Sequence, residues 1–226
     1  MFLKAKTDSN LKHWAISIAA AVMLSACGGG TSDDSVTSGS AVEQFEREGD
    51  HAIGSMDAPV VVVEYASVVC PACANWHNSV YPELKEKYID PGHVRFVFRE
   101  FPTQPERLAY AGFTIANCAD ESRFLDNISL QFKRQRALLG AQDRGKAYEE
   151  LARASGLSVE EYEACLADEA WQETYNNKVK TAQNEGINST PTFVINGNKQ
   201  KVYLIEDFDA VLEPLLKADS TESSGE

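Results

Sequence analysis

The clearest feature of the hydrophobic pattern is a mostly apolar, β-branched run, "APVVVVEYAS" at 58–67. Four consecutive valines after Pro59 are typical of a central strand that is buried on both faces. Helical spacing follows at 75–88, with a bend expected near Pro82, and "HVRFVFREF" at 93–101 predicts a second strand. Strand, helix and strand in this order indicate a βαβ unit with parallel strands and a right-handed crossover.

Between residues 103 and 186 the apolar positions recur at helical spacing. Ser158 and Glu161 form a capping-box pattern that opens the last of four predicted helices. Three glycines mark where helices are expected to end: Gly140, Gly156 and Gly186. Because four helices in a row are more than a simple crossover, the pattern predicts a helical subdomain inserted into the α/β unit.

Sheet-like spacing returns at 190–205. Two short strand-like stretches flank Asn196-Gly197, which is a strong signal for a β-hairpin. An amphipathic helix is predicted after the hairpin, at 206–218, and the chain shows no internal repeat. The pattern as a whole therefore predicts one α/β domain with an all-helical insertion.

The first 26 residues have a basic start and a short apolar run, "WAISIAAAVMLSA" at 14–26. This run is too short to cross a bilayer and has the length of a signal-peptide core. It leads into "LSAC", which resembles the lipobox of bacterial lipoproteins and ends at Cys27. We therefore predict a signal peptide at 1–26 and a lipidated Cys27 that anchors the protein to a lipid bilayer. An ordinary signal peptide that contains a cysteine by chance is the alternative.

The segments that flank the predicted domain are polar. The composition of "GGGTSDDSVTSGS" at 28–40 is typical of a flexible tether, which we assign to 27–47, and 218–226 is predicted to be a disordered tail. The 226-residue chain has a formal net charge of −13, which argues against a nucleic-acid partner because phosphates would not be neutralised. An exported, lipid-anchored protein would face the periplasm of a bacterial envelope, an oxidising compartment where disulfides persist.

Two cysteines three positions apart, Cys70 and Cys73, follow the first predicted strand. A structural zinc site needs four ligands, usually in two close pairs, and only one close pair is present. Covalent haem attachment needs a histidine directly after the second cysteine, where this chain has Ala74. We therefore interpret the pair as a thiol–disulfide switch that needs no metal and no cofactor other than its own disulfide.

The position of Cys70 suits that chemistry. It falls at the N-cap of the predicted helix, and Pro71 takes the first helical position, where a missing N–H costs nothing. The free N–H groups and the helix dipole stabilise a thiolate at Cys70, which makes its disulfide more oxidising. Cys73, one turn further along, is expected to be more buried and to resolve the mixed disulfide by attacking Cys70.

Two further groups are expected at the same corner. Glu64 interrupts the apolar strand, so we predict a desolvated carboxylate with a raised pKa that exchanges a proton with Cys73 through water. A solvent-facing Glu64 at the end of the strand is the alternative. At Thr190-Pro191 we predict a cis peptide bond that lays the Thr190 backbone beside the two cysteines, free to pair with an extended substrate.

These residues resemble the DsbA family of thioredoxin-fold proteins, in its thioredoxin-4-like branch, over about residues 48–217. The motifs that carry the resemblance are "VVVVEYASVVCPAC", "VRFVFREFP", "ANCADESRFLDN", "YEACL" and "GINSTPTFVING". The resemblance implies a thioredoxin-like α/β fold with an inserted all-helical subdomain. Its first thioredoxin-like part lies at 48–102, the insertion at 103–186 and the second thioredoxin-like part at 187–217.

The resemblance also implies the roles of the site residues. Cys70 is similar to the attacking thiol of the family, and Cys73 to the resolving thiol. Glu64 is similar to the buried acid of the family, at the same offset of six residues before the first cysteine. Thr190-Pro191 is similar to the cis-proline loop. The resemblance therefore assigns all of these residues to one catalytic corner.

Two positions depart from the strong oxidases of the family. The dipeptide between the cysteines is Pro71-Ala72, where those enzymes carry histidine in the second position. Thr190 stands where they often carry valine. Both departures affect features that set the reduction potential and the release of substrate, so the resemblance alone does not assure a strongly oxidising potential.

Four other side chains complete the set. Cys118 and Cys165 lie in two different helices of the insertion, and an even pair of cysteines in an exported protein favours a structural disulfide between them. Isolated buried cysteines that serve as small apolar side chains are the alternative.

His77 lies two turns beyond Cys70, too far to touch its sulfur, and is predicted to lie at the surface. Trp76 is predicted to lie in the core or in a groove.

The predicted protein is a membrane-tethered thiol–disulfide oxidoreductase that donates disulfides to cysteine-containing exported proteins. A quinone-linked membrane thiol oxidase would reoxidise it, and a monomer is expected because 41–50 is too short for an oligomerising helix. One alternative is an isomerase or reductase of the same fold, kept reduced by a membrane thiol reductase. Another is a non-enzymatic protein that holds Cu(I) between Cys70 and Cys73, which is disfavoured because only Met56 follows the signal peptide as a further soft ligand.

Overall fold

The computed structural model of the protein describes residues 40–222, with side chains described through residue 219. Its strands are β1 (His51–Ile53), β2 (Val60–Ala66), β3 (Val94–Glu100), β4 (Thr192–Ile195) and β5 (Asn198–Gln200). Its helices are α1 (Ala41–Phe45), α2 (Pro71–Ser79), α3 (Tyr81–Leu84), α4 (Glu106–Cys118), α5 (Phe124–Gly140), α6 (Arg144–Ala154), α7 (Val159–Leu166), α8 (Glu169–Asn184) and α9 (Ile205–Glu222). A π-helical turn (Lys85–Ile89) follows α3, and a 3-10 turn (Glu121–Arg123) precedes α5.

The five strands form one mixed sheet in the order β1-β3-β2-β4-β5. β2 and β3 run parallel, as the βαβ pattern predicts, with Val60 opposite Val94. β1 is antiparallel to β3, β4 to β2 and β5 to β4. The predicted α/β class is confirmed. The predicted hairpin is also present, and both residues of its Asn196-Gly197 turn have positive φ.

The core is organised around β2, in which every residue is buried. Successive side chains point to opposite faces of a strand. Val62 and Ala66 pack in one cluster with residues of α2 and α9, while Val61 and Val63 pack in a second cluster on the other face. The first cluster contains Trp76 and seven buried phenylalanines: Phe96, Phe98, Phe113, Phe124, Phe132, Phe193 and Phe208. A strand covered on both faces explains the continuous valine run.

The segment 41–53, which its composition assigns partly to the tether, belongs to the folded domain. α1 begins with a capping box at Ser40 and buries Val42 in the second cluster. Arg95 of β3 donates to both carboxylate oxygens of Glu46, at 2.6 and 2.8 Å. The predicted end of the tether is therefore wrong, because contacts with the sheet hold a short helix that its polar sequence does not reveal.

The helical insertion has a small core of its own, shared by α4, α5, α6 and α7. Its buried residues are Ala111, Ile115, Leu138, Tyr148, Leu151, Ala152 and Tyr162. The stretch predicted as one last helix is in fact two, since α7 ends at Leu166 and the Asp168 side chain caps α8. α8 then buries Ala182 in the second cluster, so the insertion returns to the sheet before β4 begins.

Several predicted segments lie outside the described residues. These are the signal peptide at 1–26, the lipidated Cys27 with the tether to residue 39, and residues 223–226 of the tail. α9 continues to Glu222, so it includes part of the predicted disordered tail. Between residues 40 and 222, none of the helices combines the length and apolar character needed to span a bilayer.

A disulfide joins Cys118, at the end of α4, to Cys165 of α7. Their Cα atoms are 6.5 Å apart, and 47 positions separate them in the chain. Both α5 and α6 lie within the loop that this bond closes. Such a cross-link restricts the unfolded chain, and for a loop of this length the chain-entropy relation gives a stabilisation of about 4 kcal/mol.

Replacing both cysteines by alanine, Cys118→Ala/Cys165→Ala, should lower the free energy of unfolding by about 4 kcal/mol. Urea denaturation of the variant and the wild type, both with Cys70 and Cys73 reduced, measures this difference. Thiol exchange at Cys70 should keep its wild-type rate, since the bridged helices meet in a separate cluster. A loss below about 0.5 kcal/mol, the size of an ordinary surface substitution, would contradict a stabilising role.

Candidate active site

Cys70 lies where the chain passes from β2 into α2, at the N-cap of that helix. Its backbone is extended (φ −79°, ψ 119°), and Pro71 takes the first helical position. The Cys70 carbonyl accepts the first helical hydrogen bond, from the Ala74 N–H at 3.1 Å, and its Sγ accepts from the Cys73 N–H at 3.5 Å. The sulfur therefore sits at the helix N-terminus, where unpaired N–H groups stabilise a negative charge.

The pKa values of the two thiols are shifted in opposite directions. A hydrogen bond from the Cys73 thiol is the largest influence on Cys70 and lowers its pKa to about 5, against the smaller effect of burial. Burial is the largest influence on Cys73 and raises its pKa far above the ordinary value, and the charge of Glu64 adds to that rise. At neutral pH the reduced pair therefore holds a thiolate on Cys70 and a thiol on Cys73.

The loop before β4 lies against the first cysteine. The Thr190–Pro191 peptide bond is cis, as predicted, and the Thr190 carbonyl oxygen lies 3.5 Å from Cys70 Sγ, which donates to it only in the protonated form. Within the part of the chain that is described, Thr190 Oγ1 is buried and has no hydrogen-bond partner. β4 begins directly afterwards and pairs Thr192 with Tyr65 of β2. The central sheet therefore holds this loop beside Cys70.

A buried glutamine ties the helical insertion to the corner. Gln135 of α5 donates from Nε2 to the carbonyl oxygens of Val68 and Cys70, at 2.8 and 2.9 Å. The Ser67 hydroxyl accepts a further hydrogen bond, from the Thr103 N–H at 3.2 Å. These contacts fix the loop between β2 and α2. Sequence reasoning missed Gln135, since its place in a helix does not indicate which carbonyl groups pack against it.

The loop between β5 and α9 borders the dipeptide of the Cys-x-x-Cys motif. The Tyr203 hydroxyl donates to the Ala72 carbonyl oxygen at 3.3 Å and accepts from the Asn75 side-chain amide at 3.4 Å. Tyr203 and its neighbour Leu204 are 37% and 55% exposed. They give the site an accessible apolar edge next to Ala72.

A buried acid–histidine pair lies on the sheet side of the cysteines. Glu64 is fully buried, on the face of β2 that packs against α2, and its Oε2 lies 2.6 Å from Nε2 of His77. Burial is the largest influence on Glu64 and raises its pKa, while the charge and hydrogen bond of His77 act in the opposite direction. Because Glu64 in turn raises the pKa of Cys73, the carboxyl group and the resolving thiol are electrostatically coupled.

The prediction that His77 lies at the surface is wrong. His77 is buried, and its ring stacks on Phe132 with the centroids 4.3 Å apart. The signal in the sequence was its position four residues after Cys73, which places both side chains on the helix face that packs against the sheet. The alternative of a solvent-facing Glu64 is excluded by its burial. Trp76 lies in the core, as predicted.

The residues predicted for the redox site meet at the start of α2, except for Glu64, which lies on the neighbouring strand β2. They are Glu64, Cys70, Pro71, Ala72, Cys73, Thr190 and Pro191. Cys118 and Cys165 form their bond in the helical insertion instead. Among residues 40–222 there is no cluster of three or more histidine, cysteine, aspartate or glutamate side chains that could hold a metal ion.

A mixed sheet of this order, with a Cys-x-x-Cys helix start facing a cis proline, defines the thioredoxin-fold class. The chain belongs to the thioredoxin family, since the Thioredoxin_4 family model, described as "Thioredoxin", matches residues 46–213. Among solved structures, the crystal structure of Wolbachia pipientis alpha-DsbA1 superposes with a TM-score of 0.71 at 24% identity. The match covers 81% of this chain and 98% of that one, and at this low identity it supports a shared fold alone.

Two curated relatives extend the comparison. A Rickettsia bellii protein named as a protein-disulfide oxidoreductase is 31% identical over 173 residues, which is 75% of this chain. The chain spans 66% of the length of that relative. A Bacillus cereus protein named as a disulfide bond formation protein D is 30% identical over 182 residues, 77% of this chain and 81% of the relative.

The acidity of Cys70 should depend on a hydrogen-bond donor at position 73. In Cys73→Ala the Cys70 pKa should rise from about 5, because the largest influence that lowers it is lost. In Cys73→Ser it should stay below that of the alanine variant, since a hydroxyl can still donate. Thiolate absorbance near 240 nm, followed against pH, measures both values. Equal pKa values in the two variants would contradict this assignment.

Removing the amide of Gln135 should loosen the corner. Gln135→Leu leaves the Val68 carbonyl oxygen without its side-chain donor and takes one of two donors from that of Cys70. Because a buried polar group without a partner costs about 1–3 kcal/mol, the free energy of unfolding should fall by that amount. Gln183→Leu, at an exposed position of α8, is the control and should change stability little. Equal urea midpoints for the two variants would contradict the role of Gln135.

Proposed function

We propose that the protein is a thiol–disulfide oxidoreductase that exchanges disulfides with cysteine-containing exported proteins through Cys70 and Cys73, as a disulfide donor. The observation that carries this proposal is the opposite acidity of the two thiols, a pKa of about 5 for Cys70 against a strongly raised pKa for Cys73. A pair of metal ligands would need both sulfurs as thiolates. An exchanging pair needs one stable thiolate and one thiol that stays protonated, which is the arrangement at this corner.

The proposed exchange proceeds through two displacements at sulfur. A substrate thiolate attacks Cys70 Sγ of the oxidised protein, the Cys70–Cys73 bond breaks, and Cys73 leaves with the electron pair and takes up a proton. A second substrate thiolate attacks the substrate sulfur of the mixed disulfide, forms the substrate disulfide and releases Cys70 as a thiolate. The substrate loses two electrons, and the Cys70–Cys73 disulfide gains them.

Glu64 is the proposed source and acceptor of the Cys73 proton. Its complete burial and raised pKa support this role, because burial favours the protonated, neutral form of a carboxyl group. The charge of Glu64 raises the pKa of Cys73, so the two groups are electrostatically coupled, which also supports a proton transfer between them. Protonation of the leaving sulfur prevents it from attacking Cys70 again before the second substrate thiolate resolves the mixed disulfide.

The substrate chain is proposed to lie along the Thr190 backbone. The Thr190 carbonyl oxygen is 3.5 Å from Cys70 Sγ, so an extended peptide that pairs with this loop brings its cysteine to the attacking sulfur. The exposed side chains of Tyr203 and Leu204 add apolar surface beside Ala72. Such a surface suits unfolded or partly folded proteins, whose apolar residues are accessible.

The proposed direction of transfer is donation to the substrate. A stabilised Cys70 thiolate favours the reduced form of the pair, and a pair whose reduced form is stabilised is a stronger oxidant. The proposed setting is the periplasm-facing side of a bacterial envelope, where the lipidated Cys27 and its tether would hold a monomeric domain near the membrane. A quinone-linked membrane thiol oxidase would restore the Cys70–Cys73 disulfide, and no other cofactor is needed.

The reduction potential of the Cys70–Cys73 pair tests the direction of transfer. Equilibration with glutathione buffers at pH 7, with thiols counted by mass spectrometry, should give a value closer to about −120 mV than to about −270 mV. Cys118 and Cys165 should stay bonded throughout, which the same spectra check. A value of about −270 mV, like that of thioredoxin, would overturn the donor role and indicate a reductase or isomerase.

The same titration should depend on pH in a defined way. Below the Cys70 pKa of about 5, reduction takes up two protons with two electrons, so the potential falls by about 59 mV per pH unit. Above it Cys70 stays a thiolate and only Cys73 gains a proton, which comes from solvent or from Glu64, so the slope falls to about 30 mV per pH unit or less. A slope of about 59 mV maintained from pH 4 to pH 8 would contradict the low pKa of Cys70.

A further inference from the structure

We infer that His77 is a positioning residue, which holds Glu64 by one carboxylate oxygen so that the Glu64–His77 pair stores and returns the single proton that Cys73 exchanges. This inference rests on the proposed function and extends it from Glu64 to a second side chain. His77 touches neither the substrate nor the reacting sulfurs in the proposed reaction, and its effect on them passes through Glu64.

The first step of the inference is the geometry of the pair. Nε2 of His77 and Oε2 of Glu64 are 2.6 Å apart, and the two side chains are 3% and 0% exposed. The pair links β2 to α2 across the first cluster, one helical turn beyond Cys73. A contact this short between buried groups fixes where the carboxylate stands relative to the start of α2.

The second step concerns the two atoms that the contact leaves over. Oε1 of Glu64 and Nδ1 of His77 are both buried, and neither has a hydrogen-bond partner in the described part of the chain. Buried polar atoms without partners are rare in folded proteins and call for an explanation. Here each atom can carry a proton in one state of the site and lack it in another.

A count of protons defines these states. The contact between Nε2 and Oε2 requires one proton between the two atoms. If neither Oε1 nor Nδ1 carries another, the pair has a net charge of −1, and with one more proton on either atom the net charge is zero. The pair therefore differs by one proton between its two states, and that proton resides on the atoms that have no other partner.

This proton balances the exchange at Cys73. When a substrate thiolate attacks Cys70 and the Cys70–Cys73 bond breaks, the departing Cys73 sulfur takes the proton and the pair changes from zero to −1. When Cys73 later attacks a mixed disulfide on Cys70, its proton returns to the pair. No further oxidant or reductant enters these steps, because the substrate supplies or accepts both electrons.

The surroundings show why an imidazole suits this place. From β3 and β4, the residues opposite Glu64 are Phe98 and Phe193, which bring no charge. Phe132 of α5 covers the His77 ring from the other side.

The titratable groups that face the pair are Cys70 and Cys73 at the corner and Tyr81 of α3, whose ring centroid is 4.9 Å from that of His77. The Tyr81 pKa is raised by burial first and by the Glu64 charge second, so its hydroxyl stays neutral. An imidazole can donate from Nε2 in both its charged and its neutral form, whereas a lysine or arginine would hold Glu64 permanently ionised.

Three variants of the full chain test the inference. His77→Leu removes the donor, His77→Gln keeps a neutral amide donor near the position of Nε2, and His93→Leu alters an exposed histidine as the matched control. The reduced proteins are mixed with excess oxidised glutathione and quenched in acid, and mass spectrometry separates two steps. The first is the bimolecular attack of Cys70, and the second is the concentration-independent attack of Cys73 on the mixed disulfide. Both are followed from pH 5 to pH 9.

In His77→Leu the pH midpoint of the second step should move upward, since His77 lowers the pKa of Glu64 in the native protein. A displacement of one pH unit makes the step about tenfold slower on the rising limb. The rate at high pH should not fall, because a more basic Glu64 takes the Cys73 proton more readily once it is ionised. The first step should change by less than about twofold. His77→Gln should have a midpoint between those of His77→Leu and the wild type, and His93→Leu should match the wild type.

The outcomes separate the inference from the proposed function. Wild-type protein that forms no Cys70–Cys73 disulfide with oxidised glutathione would overturn the proposed function itself. Wild-type exchange with an unchanged midpoint in His77→Leu would overturn the role of His77 alone. A uniform slowing at every pH would mark structural damage and also count against it. If His77→Leu fails to fold by circular dichroism, His77→Gln decides, and a wild-type midpoint in that variant overturns the inference.

Discussion

The burial of one carboxyl group inside an apolar sheet constrains the rest of the site. Glu64 stands in the central strand with Phe98 and Phe193 as its lateral neighbours, and removing an ion from water costs several kcal/mol even after relaxation. The hydrogen bond from His77 is the contact that offsets this cost. A register shift of one residue would turn Glu64 to the other face of the sheet, so β2 and α2 have to keep their present alignment.

That alignment places the start of α2, and with it the reacting sulfurs. The helix is held along its length by His77, at the preceding loop by Gln135, and at the motif dipeptide by the contact of Tyr203 with Ala72. With the corner fixed, the helix N-terminus and the Cys73 thiol face one sulfur without reorganisation. The groups that make that sulfur acidic belong mainly to the Cys-x-x-Cys motif itself, and the folded scaffold holds them in place.

The second face of the sheet supports the same strand from behind. Arg99 donates to the Tyr65 hydroxyl at 2.9 Å and pairs with Asp50, which follows α1, while Tyr65 donates to Glu185 at the end of α8. This network joins the N-terminal segment and the last helix of the insertion to the residue that follows Glu64. Elements far apart in the sequence thus hold β2 in place, although none of them contributes a group to the redox corner.

The sequence alone determined the features that depend on local physical chemistry. The valine run predicted the central strand, Asn196-Gly197 predicted the hairpin, and the start of α2 predicted an acidic Cys70, because each follows from the geometry of a few adjacent residues. Only the tertiary structure decided the partner of Glu64, the burial of His77, the tie from Gln135, and the presence of α1 and β1. A short polar helix such as α1 or a three-residue strand such as β1 carries no periodic signal. The burial and the partners of a side chain depend on elements that pack against it from distant parts of the chain.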